Sequence, residues 1–109
     1  MSGGFDDRRK GLEGRWAHDE EMRFKVMARR NKLLGLWAAQ EMGLPASESD
    51  AYAKQVVAAD FEEAGDEDVF RKIRKDFDAK SVARTDHLIR SKMEELLTLA
   101  GDQVMAEKK

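Results

Sequence analysis

Apolar residues recur at the spacing of an α-helix along nearly all of the chain after Asp19. Gly43 suits the left-handed position that commonly follows a helix, and Pro45 cannot continue one. Together these features predict a first helix over about 19–42. Its apolar stripe falls at positions i, i+4, i+11 and i+15 and consists of Met22, Val26, Leu33 and Trp37.

Capping residues and apolar stripes predict two further helices in the middle of the chain. Ser47 and Asp50 approximate a capping box, which predicts a second helix over about 48–64. Asp66 can cap a third helix over about 67–78, and the acidic first turn of that helix suits the helix dipole. The predicted apolar faces are Ala53, Val57, Phe61 and Ala64 in the second helix, and Val69, Phe70, Ile73 and Phe77 in the third.

A fourth helix is predicted over about 83–106, after a short break in the pattern. Ser81 and Thr85 are both suitable caps, and the sequence does not decide between them. Four amphipathic helices with short connections predict an all-α fold, a small four-helix bundle over residues 19–109. The apolar face of the fourth helix is Ile89, Met93, Leu96, Leu97, Ala100 and Val104.

The first 18 residues, called here the N-terminal segment (residues 1–18), are predicted to be flexible. Gly11 and Gly14 each cost about 0.8–1 kcal/mol inside a helix relative to alanine. Projected as a helix, however, Phe5, Leu12 and Trp16 share an arc of roughly 40°. From the residues alone, the favoured interpretation is an inert tail with Trp16 extending the first helix onto the bundle, and a segment that folds against a partner is the alternative. The arc is flanked by Arg8, Arg9 and Arg15.

Composition and charge narrow the class of protein. The 109 residues are 41% hydrophobic and 39% charged, with one proline and no cysteine, so disulfides and cysteine-bound zinc are excluded. Residues 1–30 carry eight Lys/Arg against six Asp/Glu, and residues 31–109 carry twelve against sixteen. A basic N-terminal region followed by an acidic remainder suggests that the two parts of the chain have separate functions. Without a transmembrane run or signal peptide, we expect a cytoplasmic protein that does not insert into membranes.

Candidate chemical sites are few. "HDEE" (residues 18–21) is better explained as a helix start than as a metal site, and "EEAGDED" (residues 62–68) lacks the ligand spacing of a calcium loop. The basic residues of "FRKIRKDF" (residues 70–77) could hold phosphate, but the solvent face of a helix is the favoured interpretation. No nucleophile motif, metalloprotease pair or Walker loop is present. We therefore expect no enzyme activity, no metal and no cofactor.

Three blocks of the sequence resemble a known family. They are "FDDRRKGLEGRWAHDEEMRFKVMARRNKLLGLWAAQEMGL", "DVFRKIRKDF" and "HLIRSKMEELLTLAG". In order and spacing they are similar to the zeta subunit family of alphaproteobacterial F-type ATP synthases. The resemblance implies a four-helix bundle whose N-terminal segment inserts as a helix at a catalytic interface of the ATPase head, beside the rotor shaft, and blocks hydrolytic rotation. Family members are also associated with adenine nucleotides, but no residue set here locates such a site.

The resemblance implies a specific set of partner-binding residues and a specific partner. Phe5, Leu12 and Trp16 would anchor the bound helix, and the basic residues between them would pair with the rim of an acidic groove. The partner would be the catalytic head of the ATP synthase, with its alpha, beta and gamma subunits. The complete predicted set is Phe5, Asp6, Asp7, Arg8, Arg9, Lys10, Leu12, Glu13, Arg15 and Trp16.

Two other functions remain open at this point. One is a small nucleic-acid-binding regulator, and the other is an adaptor bundle that docks a partner without inhibiting it. No sustained heptad pattern demands a coiled-coil dimer, so we expect a monomer when the protein is free. The nucleic-acid hypothesis depends on a basic helix that carries Arg8, Arg9, Arg15, Arg23, Arg29 and Arg30.

Overall fold

The computed structural model describes residues 19–60 and 67–107, and within these ranges it contains four helices and no strand. The predicted all-α fold with four helices is confirmed. No helix in the described ranges is both long and apolar enough to cross a bilayer. In chain order the helices are α1 (Glu20–Glu41), α2 (Ala46–Ala59), α3 (Glu67–Ala79) and α4 (Asp86–Glu107).

The end of α1 is fixed by glycine, as the sequence predicts. Gly43 has a φ of 74°, which an L side chain adopts only at a cost. Its amide donates to the Gln40 carbonyl at 3.0 Å, and the Leu44 amide donates to the Ala39 carbonyl at 2.9 Å. These two bonds form a Schellman motif, which satisfies carbonyls that the helix end would otherwise leave without donors.

The end of α3 has the same motif without a glycine. Ser81 occupies the left-handed position with a φ of 58°. Its amide donates to the Asp78 carbonyl at 3.1 Å, and the Val82 amide donates to the Phe77 carbonyl at 2.8 Å. Ser81 is therefore a helix-ending residue under backbone strain, and it does not cap α4.

The helix starts correct two sequence-based predictions. Pro45 is the N-cap of α2 and no side chain caps this helix, so the predicted capping box of Ser47 and Asp50 is wrong. Proline has a ring-fixed φ that suits this position, and its carbonyl accepts the first helical bond, from the Ser49 amide at 3.1 Å. For α4, Thr85 is the cap, because its hydroxyl accepts from the Leu88 amide at 3.1 Å. The helix consequently begins at Asp86, later than the pattern predicted.

Most of the buried apolar side chains form one cluster, called here the main core, to which all four helices contribute. Trp37 packs on the edge of this core, where its ring centroid lies 5.7 Å from the ring centroid of Phe77. The main core consists of Leu34, Ala38, Ala39, Tyr52, Val56, Val69, Phe70, Ile73, Phe77, Ile89, Met93 and Leu96.

The buried face of α2 is rotated from the predicted one. Tyr52 and Val56 are buried with Ala53, whereas Val57 is only half-buried. The predicted continuation of that stripe, Phe61 and Ala64, lies outside the described residues together with the predicted cap Asp66.

The rotation of α2 follows from its close crossing with α1. A Cβ atom added at Gly35 would lie 2.6 Å from the Ala53 Cα atom, a distance that no real side chain tolerates. The two backbones therefore approach each other at a point where neither helix has a large side chain. This crossing turns Ala53 and Val56 toward α1 and leaves Val57 at the edge of the interface.

A second, smaller cluster joins only the beginning of α1 to the end of α4. It is called here the terminal core, and Leu33, Leu97 and Met105 pack around it while remaining partly exposed. Its buried members are Met22, Val26, Ala100 and Val104.

A polar cluster on the bundle surface links α2 to α3. The Tyr52 hydroxyl donates to the Asp76 carboxylate at 2.7 Å, and the Lys72 ammonium donates to the same oxygen at 3.0 Å. Burial, and then the bond to Asp76, raises the pKa of the Tyr52 phenol above its ordinary value. The phenol therefore stays protonated and acts as a fixed donor.

Candidate partner-binding region

The predicted partner-binding residues, from Phe5 to Trp16, all lie outside the described residues. What the structure describes is the part of the bundle to which they are attached. That part comprises the first turns of α1, the terminal core and the groove beside them.

Asp19 fixes the point at which α1 begins. Its backbone is extended, with φ −105° and ψ 112°, and its carboxylate accepts from the Met22 amide at 3.1 Å. Its carbonyl accepts the first helical bond, from the Arg23 amide at 2.8 Å. Glu20 and Glu21 then place negative charge in the first turn, where the helix dipole favours it. A capped helix therefore starts directly after the N-terminal segment.

The terminal core and one arginine hold this start of α1 against α4. The Arg29 guanidinium donates to the Gln103 side-chain oxygen and to the Glu107 carboxylate, each at 2.8 Å. Both bonds bridge residues that are far apart in sequence but adjacent in the bundle. The first half of α1 is thus held against α4, directly after the N-terminal segment in the sequence.

A groove runs along the face where α1, α2 and α4 meet, and it is called here the basic groove. Two adjoining cavities of about 370 and 400 Å³ form it, and they share Lys32 and Val57 in their walls. Its floor is apolar, its rim is mostly cationic, and Phe24 stands at one end with 59% of its surface exposed. The lining residues are Phe24, Lys25, Ala28, Arg29, Lys32, Asp50, Ala53, Lys54, Val57, Val104 and Glu107.

This groove was not predicted from the sequence. A signal was present, since Lys25, Ala28, Arg29 and Lys32 follow the i, i+3, i+4, i+7 spacing of one helix face. That spacing alone describes an ordinary solvated face. Lys54 and Val57 join the face only because α2 crosses α1 nearby, which sequence periodicity does not reveal.

The basic run of α3 is largely engaged within the protein. Arg71 pairs with Asp68, Lys72 with Asp76, and Arg74 with both Asp78 and Asp86. Hydrogen bonds to Asp86 and then to Asp78 raise the pKa of the Arg74 guanidinium. These pairs favour the interpretation of the run as a solvated helix face over a phosphate site.

One of the residues proposed for nucleic-acid binding is unsuited to that role. Arg30 is only 1% exposed, and its Nε donates to the Asn31 side-chain oxygen at 2.7 Å. Arg29 is committed to α4 by its two bonds. Among the described residues, Arg29 and Arg30 are therefore not free to form an accessible basic surface, and Arg8, Arg9 and Arg15 lie outside the described ranges.

Metal-ligating side chains do not cluster in the part of the chain that the structure describes. Within residues 19–60 and 67–107, no group of three or more His, Cys, Asp or Glu side chains could hold an ion. His18 and most of the acidic run 62–68 lie outside these ranges.

Comparisons with known proteins relate nearly the whole chain to one family. A family model described as ATPase inhibitor subunit zeta matches residues 1–103, a range that includes the N-terminal segment. The chain is also similar to a protein whose structure was solved in solution by NMR, with 51% sequence identity and a TM-score of 0.71. The alignment covers 79% of the present chain and 98% of the solved one. A search of curated proteins found no match.

Proposed function

Because the chain belongs to the ATPase inhibitor subunit zeta family, we propose that its N-terminal segment inserts as a helix at a catalytic interface of the ATP synthase head, next to the rotor shaft. Family membership by itself makes the protein an ATPase inhibitor subunit that associates with ATP synthase. The proposal adds the inhibitory element, its position and the way it blocks hydrolytic rotation.

The observation that carries this proposal is the extent of the family match. The matching range starts at residue 1 and so includes every predicted partner-binding residue. The segment thus belongs to the region that the family model spans, together with the bundle, and this supports a role for it in the family's function. The amphipathic pattern of Phe5, Leu12 and Trp16 supports a bound helix independently of that match.

Binding must offset the cost of ordering the segment. Fixing some twelve backbones costs about 1–2 kcal/mol each, so a large part of the burial energy is consumed before any affinity appears. Large aromatic anchors are the residues that usually supply such energy. Phe5 and Trp16 therefore carry most of the binding, and Arg8, Arg9 and Arg15 pair with carboxylates at the rim of the site.

The bundle contributes by giving the segment a fixed base. The capped start of α1 and the Arg29 bonds to α4 hold the residue at which the segment ends. A helix wedged between alpha and beta subunits, and attached to a bundle too large to follow it, would resist rotation of the gamma shaft. This attachment favours a mechanical block over competition for substrate.

Deletion of residues 1–18 tests the proposal directly. We expect the truncated protein to lose inhibition of ATP hydrolysis by the purified head, while its helical circular dichroism signal stays that of a folded bundle. Full inhibition by the truncated protein would contradict the proposal and favour an inhibitory surface on the bundle.

Single substitutions sharpen the same test. Trp16→Ala should weaken inhibition by about 30-fold, since loss of one aromatic anchor costs about 2 kcal/mol or more at such interfaces. Leu99→Ala is the matched control, because Leu99 is a 43% exposed apolar residue on α4, away from the segment in sequence. Equal effects of the two substitutions would argue against Trp16 as an anchor.

A further inference from the structure

We propose that the basic groove is a second docking surface for the ATPase head, and that it seats an acidic, partly apolar segment of the head's outer surface. This inference depends on the proposed function, because it concerns the same complex. It adds a contact made by the bundle, which the N-terminal segment does not provide.

The charge of the groove identifies the chemistry of its occupant. Four cations line it, Lys25, Arg29, Lys32 and Lys54, against two carboxylates. The groove is therefore positively charged although most of the chain is acidic, since residues 31–109 carry twelve Lys/Arg and sixteen Asp/Glu.

Two of these cations are available to a partner. Lys25 pairs with Glu21, and Arg29 is bonded to α4. Lys32 and Lys54, in contrast, are exposed and have no carboxylate partner among the residues that the structure describes. Together they line one cavity from two different helices, so an acidic segment lying between them would meet both.

The floor of the groove adds an apolar component. Ala28, Ala53 and Val57 line it together with Phe24, which is 59% exposed. An exposed phenylalanine beside a cationic rim is typical of interface anchors, which combine apolar burial with charge at the edge. A purely electrostatic surface would not need the aromatic ring.

The position of the groove matches the proposed complex. Phe24 lies in the second turn of α1, and the capped start of that helix is where the N-terminal segment ends. When the segment is held inside the catalytic interface, the part of the head around its opening must lie close to this end of α1. The groove is therefore continuous with the surface that the segment brings to the head.

Charge reversal in the full-length protein tests the inference. Lys32→Glu with Lys54→Glu should weaken binding to the purified head by about tenfold, mainly through slower association and with a reduced salt dependence. Inhibition at saturating protein should remain complete, because the N-terminal segment is intact.

The control makes the same change in net charge elsewhere. Lys75→Glu with Lys80→Glu reverses two exposed lysines in and just after α3, which form no ion pair with a carboxylate within the described ranges and lie outside the groove. Equal weakening by both double variants would show a general charge effect and overturn the inference. Phe24→Ala should also weaken binding, but without changing the salt dependence, and an unchanged affinity would count against the apolar contact.

The outcomes separate this inference from the proposed function. If deletion of residues 1–18 abolishes inhibition and the groove variant binds like wild type, the proposed function stands and the groove inference fails. If the unmodified protein does not bind the head, both fail. A dimer of the free protein that the groove variant disrupts in sedimentation would assign the groove to a second copy and overturn the inference.

Discussion

The main core and the terminal core divide the bundle into two unequal parts. The main core has twelve buried residues from four helices, including the aromatic rings of Tyr52, Phe70 and Phe77. The terminal core has four buried residues from two helices and no aromatic ring. Since burial of an apolar side chain contributes about 1.5–3 kcal/mol, the main core carries most of the stability.

This difference separates the part of the bundle that stabilises the fold, the main core, from the part to which the N-terminal segment is attached, the terminal core. The end with fewer buried apolar residues includes the start of α1, which directly follows the N-terminal segment in the sequence, and it is reinforced by the bonds of Arg29 to Gln103 and Glu107. Local opening is least costly where few apolar contacts would be lost. The fold is thus most secure away from the proposed inhibitory element, and beside that element the base depends on a small apolar cluster and on the two bonds of Arg29.

The largest expected effect is on the main core. Phe77→Ala should lower the free energy of unfolding by about 4 kcal/mol, because Phe77 is fully buried and its ring contacts Trp37. Chemical denaturation measures the change. Leu99→Ala, at a 43% exposed position, should change it by less than about 0.5 kcal/mol. A comparable loss in both variants would contradict the assignment of the core.

The crossing of α1 and α2 comes next. Gly35→Ala should destabilise the bundle by about 3 kcal/mol, because the added methyl group would meet the Ala53 backbone and force the helices apart. Thermal unfolding measures the loss. A variant as stable as wild type would show that the two helices separate at little cost.

A matched pair of valines tests whether the two cores are separate units. Val26 in the terminal core and Val56 in the main core are both fully buried. Replacement of either by alanine removes about 2 kcal/mol of apolar burial. We expect Val56→Ala to lower the global free energy of unfolding, and Val26→Ala to accelerate amide exchange mainly at the start of α1 and the end of α4.

Identical exchange patterns in the two valine variants would show a single cooperative unit. In that case the two cores would open together, and their difference in size would not make one end of the bundle open more easily than the other. A selective effect of Val26→Ala would instead place the weakest part of the bundle next to the N-terminal segment.

The smallest expected effect concerns the two helix ends that share a motif. Ser81→Gly should stabilise the protein by about 1 kcal/mol, because it relieves the cost of a left-handed backbone at φ 58°. Gly43→Ser, the reverse change at φ 74°, should destabilise it by a similar amount. Effects of the same sign would mean that factors other than backbone strain dominate.

Local patterns were enough to predict the class of the fold and the end of α1. A glycine followed by a proline is a strong local signal, and Gly43 stands in the predicted left-handed position. The start of α2 was predicted wrongly because serine and aspartate favour caps, whereas Pro45 supplies the start without a side-chain bond. The cap of α4 was left open and is Thr85.

The predicted partner-binding residues stay a prediction, because they lie outside the described residues. Helical spacing marks one wall of the basic groove, but the groove itself could not be predicted. Lys32 and Lys54 are separated by the turn between two helices, and periodicity within one helix says nothing about which residues of another will face it.

The sequence by itself determined that the chain is helical, where α1 ends, and which family it resembles, because helical period, capping and motif order are properties of neighbouring residues. Only the tertiary structure decided how the helices cross, that Arg30 is buried, and that Lys32 and Lys54 face one groove. Those features depend on the approach of Gly35 to Ala53 and on the pairing of α1 with α4. They follow from packing between distant segments, which no local pattern encodes.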